Sequence, residues 1–271
     1  MIEKGYVTIG DGQIHFRRTT GGHGNPLVMF HMTSASSEAY EGLMEELDGK
    51  IPVIAFDTMN YGASFRTDRE PSIRYIAEGL LEAITALGID RFHTLGHHTG
   101  VSIQCEMAIV APDRVLSVLM SGPNYATMEQ NAYLMKKLAL PNPISIKGTQ
   151  FIFAWSRTKD NFPVSLWTDD RVQAAVMNRE TVDMLRAGEN WPWAYRAVFS
   201  HDLRDAMSKV HCPKFFICGG QDLAYAFHRE AVADYPDAPI HEHPDGGIYY
   251  LETHPQDAAP AIMKFLSSIE Q

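Results

Sequence analysis

Two adjacent histidines stand between glycines in the run Gly96-His97-His98-Thr99-Gly100. A β-rich run precedes this segment and a helical pattern follows it. The spacing therefore predicts a tight strand-to-helix turn, in which glycine tolerates a backbone that other residues avoid. A side chain at the centre of such a turn is pushed out above the sheet, and that position belongs to His98. Imidazole titrates nearer neutrality than any other side chain, so His98 reads as a group acting on a substrate, with a space-filling ring as the alternative. His97 reads as a buried, hydrogen-bonded ring. Asp222 follows the apolar run that ends in Cys218-Gly219-Gly220. It is a carboxylate that could orient and charge a histidine, or a turn cap.

Other polar residues are weighed against these two. His31 ends the apolar run Leu27-Val28-Met29-Phe30 and leads into Met32-Thr33-Ser34. Its ring is expected to be hydrogen-bonded within the structure. The backbone N–H groups of Met32 and Thr99 are the candidate oxyanion donors, because main-chain amides serve that role without any particular side chain. Ser34, Ser36 and Ser37 have no base beside them in the sequence and read as turn or helix caps. His241-Glu242-His243 alternates as a strand would, aiming both histidines at one face, with His243 a candidate displaced base. No spacing of the HExxH type accompanies these histidines or His31, His98 and Asp57, so no metal is expected. His31, Thr33, Ser34, His243 and Tyr249 complete the pocket candidates.

The elements that must position these residues follow an α/β rhythm. Short β-rich runs at Tyr6 to Ile9, Gln13 to Arg18, Leu27 to His31, Val53 to Asp57, Arg91 to Gly96, Val115 to Met120, Lys214 to Cys218 and Ile240 to His243 are separated mostly by helical patterns. Helices are predicted near 36–47, from Ser72 to a stop at Gly88, over 100–110, near 227–233 and over 255–268. From Asn124 to about Met207 strand alternation disappears and Pro141, Pro143, Pro163 and Pro192 break the chain. This stretch predicts a helical cap inserted into a core made of 1–123 and 208–271. Its Met128, Met135, Phe151, Phe153, Trp155, Trp167, Trp191, Trp193 and Tyr195 are expected mostly to pack helices, with a minority lining an apolar pocket.

Of the 271 residues 45% are hydrophobic and 21% charged, the make-up of a folded globular chain. A net charge of −10 excludes the dense basic footprint needed to hold nucleic acid or an acidic membrane. Three cysteines, Cys105, Cys212 and Cys218, are too few and too irregular for a disulfide framework. The first ten residues lack the apolar run of a signal peptide, and no apolar stretch of bilayer length follows. A cytoplasmic location is the expectation; oligomeric state is left open.

Order and spacing of six landmarks resemble the α/β-hydrolase superfamily over nearly the whole chain. They are the strand ending at His31, the segment from Asp57 to Ser64, the turn at 96–100, Pro112-Asp113-Arg114-Val115, Gly219-Gly220-Gln221-Asp222 and Glu252-Thr253-His254-Pro255. The resemblance implies a doubly wound, mostly parallel sheet of about eight strands, with the turn at 96–100 as the G-x-S-x-G nucleophile elbow and Asp222 as the acid. His98 stands where that family carries serine. Aligned on Glu252, Gly247 stands where it carries the catalytic histidine, or Ile248 with a one-residue gap. Covalent acyl transfer by a Ser-His-Asp triad is therefore not expected. Two functions stay open. One is a cofactor-independent hydrolase or lyase using a His98-Asp222 dyad on a small, partly apolar molecule; the other is a catalytically silent binding protein. A His98 ring within hydrogen-bond reach of Asp222 is what the first requires.

Overall fold

The computed structural model of the chain describes residues 1–161 and 171–269. Eight strands form one sheet: β1 (Glu3–Ile9), β2 (Gly12–Thr19), β3 (Leu27–Phe30), β4 (Val53–Phe56), β5 (Phe92–His97), β6 (Val115–Ser121), β7 (Lys214–Gly219) and β8 (Ile240–His243). Their order is β1-β2-β4-β3-β5-β6-β7-β8. β2 runs antiparallel to both its neighbours, and every pairing from β4 to β8 is parallel.

The helices are α1 (Glu41–Leu47), α2 (Ile73–Ala86), α3 (Thr99–Val110), α4 (Met128–Leu138), α5 (Thr149–Asp160), α6 (Arg171–Ala187), α7 (Trp193–Phe199), α8 (Leu203–Ser208), α9 (Tyr225–Asp234), α10 (Tyr250–Thr253) and α11 (Pro255–Ile269). The helix expected near 36–47 divides into a 3₁₀ turn, Ser37–Tyr40, and α1, because the Ser36 side chain accepts from the Glu38 N–H and caps the tighter turn first. The Ser72 hydroxyl caps α2 by accepting from the Tyr75 N–H.

Central strands alternate between two cores. Val28 and Phe30 of β3 join one with α2, α3 and α8, while Leu27 and Met29 join the other with α1 and α11. A strand covered on both faces must be apolar on both, which is why β3 and β4 are continuous hydrophobic runs.

Among the described residues of 124–207 there is no strand. α5, α6 and α7 share a small core of Ala154, Met184, Ala187, Trp191 and Ala194 with Tyr61 from the loop after β4. Packing accounts for Met135, Phe153 and Trp191. Met128, Phe151 and Trp155 depart from expectation and are exposed, because they lie on helix faces turned from these cores. Pro163 and Trp167 lie outside the described residues.

Candidate active site

His98 occupies the turn between β5 and α3 with φ 48° and ψ −102°, a left-handed conformation rare outside glycine. Its N–H donates to the Ser121 carbonyl at 2.9 Å, and its carbonyl accepts from Val101 N–H at 2.9 Å. The flanking glycines are required by contact. A Cβ on Gly96 would lie 2.3 Å from the Gly100 carbonyl oxygen, and one on Gly100 would lie 2.0 Å from that of Phe30. Helix and strand thus approach to backbone contact, and the turn lifts the His98 ring off the sheet.

The ring reaches across Gly122, at the end of β6, to Asp222. His98 Nε2 lies 2.9 Å from Asp222 Oδ2 and 3.0 Å from Oδ1. Asp222 is fixed in turn: its N–H donates to Gly219, its Oδ1 accepts from Ala224 N–H at 2.7 Å, and its carbonyl accepts from Tyr225 N–H at the start of α9. Burial pushes the Asp222 carboxyl up. The neighbouring His98, its hydrogen bond and the Ala224 amide outweigh this and hold it below its ordinary value. With Asp222 ionised, it is Nε2–H of the imidazole that donates to the carboxylate. His97 is buried with its ring edge-on to His98, centroids 4.6 Å apart. Burial, aided by His98, drives its pKa down to about 3, so it stands neutral. His97, His98 and Asp222 bring three donor atoms within 4.8 Å of one another, and these are the residues among those described that could hold a metal ion.

His98 and Thr99 open onto a cavity of about 160 Å³. Leu134 and Leu138 of α4, Val198 and Phe199 of α7, Phe227 of α9 and Ile248 supply much of its wall, with Arg157 and Asp160 of α5 as its charged members. Thr99 begins α3, so its amide sits at a helix N-terminus. Neither the Thr99 nor the Met32 N–H has an acceptor among the described residues.

The remaining sequence candidates lie outside this cavity lining. The buried His31 ring donates from Nδ1 to its neighbour's carbonyl, Met32 O, and accepts at Nε2 from Thr58 N–H at 3.0 Å. Thr33 Oγ1 pairs with Thr99 Oγ1 at 2.7 Å, and Ser34 lies 3.5 Å from Glu180 Oε1. Tyr249 Oη accepts from Asn161 Nδ2 at 3.0 Å. His243, on the edge strand β8, lies with its ring tilted against those of His254, centroids 4.5 Å apart, and Tyr250, outside the lining of the His98 cavity. His241 pairs with Asp257 at 2.7 Å. Buried Asp57 is consumed by His15 and by the Ser37 and Ala63 amides, which tie the loops after β3 and β4 together. The sequence does not single out Arg157 or Gly122: an arginine in a helix carries no sign of what it faces, and the glycine after β6 matters only through the His98 ring that crosses it.

Known proteins place the chain. The model for the alpha/beta hydrolase fold matches residues 25–226. A fluoroacetate dehalogenase from Burkholderia sp is 26% identical, over 98% of this chain and 94% of its own. A proline iminopeptidase from Heyndrickxia coagulans is 25% identical, over 99% and 100%. Among solved structures, a thermophilic esterase from Thermogutta terrifontis superposes with a TM-score of 0.80 at 17% identity, covering 99% of this chain and all of that one.

Proposed function

Because this chain belongs to the alpha/beta hydrolase fold family, we propose that it is a small-molecule hydrolase whose general base is the His98-Asp222 dyad rather than a serine triad. The observation that carries the reading is the 2.9 Å hydrogen bond from His98 Nε2 to Asp222. His98 stands at the elbow where the family nucleophile would be, and Ile248 lines the cavity near where the family histidine would be. The longer imidazole spans the gap and takes over the base's pairing with the acid. The relatives' names, a dehalogenase and an iminopeptidase, agree on small substrates and differ on the bond cleaved.

In this reading His98 Nδ1 takes a proton from water as the water oxygen bonds to an acyl carbon, and the Met32 and Thr99 amides hold the developing oxyanion. Collapse breaks the acyl C–O bond, and the imidazolium returns the proton to the leaving oxygen. Ester and water become acid and alcohol, and His98 is neutral again. Asp222 keeps the ring in one tautomer and stabilises its charged state. Helices α4 to α7 act as the lid that keeps bulk water from the cavity.

A panel of small esters and lactones tests this with the parent, His98→Ala, Asp222→Asn and the double variant. Each single change should cost about 10² to 10⁴ in kcat/KM, and the double little more than either, because the two act as one unit. A fluorophosphonate should label no serine, and dialysis against EDTA should leave turnover unchanged. Full activity in His98→Ala would defeat the dyad. A ligand that binds with no turnover in the parent would favour a silent binding protein.

A further inference from the structure

The cavity beside His98 is mostly apolar, yet a guanidinium stands in its wall. Arg157, on α5, is half-buried, and its Cζ lies 5.9 Å from the centroid of the Tyr195 ring. That ring is held in place by Phe199, stacked at 5.5 Å, and by the edge of Trp191 at 5.8 Å. The cation is therefore carried on a fixed aromatic shelf.

What Arg157 lacks is an anion. Its guanidinium hydrogen-bonds the Tyr195 hydroxyl, but among the described residues it forms no ion pair and donates to no carbonyl. The comparably or more buried Arg17, Arg179, Arg196 and Arg204 all meet carboxylates, and Arg114 is taken up by the carbonyls of Asp90 and Ile89. Asp160, one turn on, lines the same cavity but is exposed and does not pair with it. The nearby amides are occupied, Asn124 with Asn131 and Asn161 with Tyr249. A guanidinium that has a phenol but no counter-anion, beside mostly apolar walls, is an incomplete arrangement that a carboxylate completes, since its two oxygens match the remaining N–H donors of the fork.

We propose that Arg157 is the anion-recognising residue of this site, and that the substrate is a small molecule with an apolar body and a single carboxylate. This rests on His98 marking the reacting end of the cavity. A single negative charge is specified because one guanidinium neutralises one; a dianionic phosphate would leave charge unpaired among leucines and phenylalanines.

Ligand-detected NMR on the full chain tests this with hexanoate and 3-phenylpropanoate against hexanamide and 3-phenylpropanamide. The carboxylates should bind at least about tenfold more tightly than the amides, and Arg157→Gln should remove that preference. Arg157→Lys should keep part of it. Asp160→Asn, which removes a neighbouring negative charge, should tighten carboxylate binding and keeps the idea testable if Arg157→Gln folds poorly. Equal binding of acid and amide to the parent would overturn the inference. So would a natively folded Arg157→Gln that keeps the preference, or no response to Asp160→Asn when Arg157→Gln is unfolded. His98→Ala should bind the carboxylates as the parent does while losing turnover. If the dyad variants keep turnover, the dyad falls and the Arg157 result stands; if turnover is lost but acid and amide bind alike, only the Arg157 inference falls.

Discussion

At His98 the backbone is held left-handed, at φ 48°, a strain of order 1–3 kcal/mol that persists only where surroundings enforce it. Enforcement comes from the backbone contact at Gly96 and Gly100, and the ring's direction comes from Gly122. A Cβ on Gly122 would lie 2.6 Å from His98 Nε2 and 3.0 Å from Asp222 Oδ2. Gly122→Ala should therefore displace the ring and cost about 10² in turnover, besides about 1–2 kcal/mol for alanine at φ +57°. Gly88→Ala is the control. Its φ of +76° carries similar strain, but a Cβ there meets nothing within 4 Å, so stability should fall while turnover holds. Steady-state kinetics beside urea melts separate the two. The histidine and the acid could be read from the sequence because glycines and strand ends flank them. Gly122 and Arg157 could not, since what matters about each is a neighbour far along the chain.

At the element scale, α6 is fastened to the core by charge. Arg179 donates from Nε to Glu252 Oε1 at 2.9 Å, and its Nη1 meets Glu180 at 2.8 Å and Asp183 at 3.2 Å. Ser36 adds a hydrogen bond to Asp183 at 2.8 Å. One buried cation thus serves three carboxylates, and two of them titrate high. Burial lifts Glu252 to about 7 against the pull of Arg179, and lifts Asp183 to about 6 in the same way. Arg179→Met should strand these anions and cost about 3–5 kcal/mol at pH 8. The penalty should shrink at pH 5.5, where Glu252 and Asp183 accept protons. Urea melts at both pH values check the difference, and an equal penalty would contradict it. The elements themselves were largely legible: β3, covered on both faces, stands out as an unbroken apolar run, and α2, buried along one face, keeps its helical spacing. Exposure of Phe151 and Trp155 was not, because an aromatic residue on a helix carries no record of whether that face finds a partner.

For the whole molecule, stability follows the balance of protons bound by the folded and unfolded chain. His31 and His97 are both held below the ordinary histidine value, chiefly by burial, and His97 falls to about 3. Once unfolded, each takes up a proton below about pH 6.5, so the unfolded state binds more protons and stability falls with acid. His228 and His254 are shifted the same way, again mainly by burial. Glu252 and Asp183 oppose the trend. Their folded values are raised, so between about pH 4 and 7 the folded state holds protons that the unfolded chain has released, which favours folding as pH falls. Between about pH 6.5 and 4.5 the depressed histidines and the raised carboxyls therefore work against each other. Below that, Asp57 and Asp222, held low in the folded state, make acid destabilising. His97→Asn isolates one contribution. It removes a group worth up to about 1.4 kcal/mol per pH unit between its unfolded and folded values, so the variant's stability should fall less steeply with acid than the parent's. Thermal melts from pH 7.5 to 4.5 read this slope directly, and an unchanged slope would mean that His97 is charged in the folded protein.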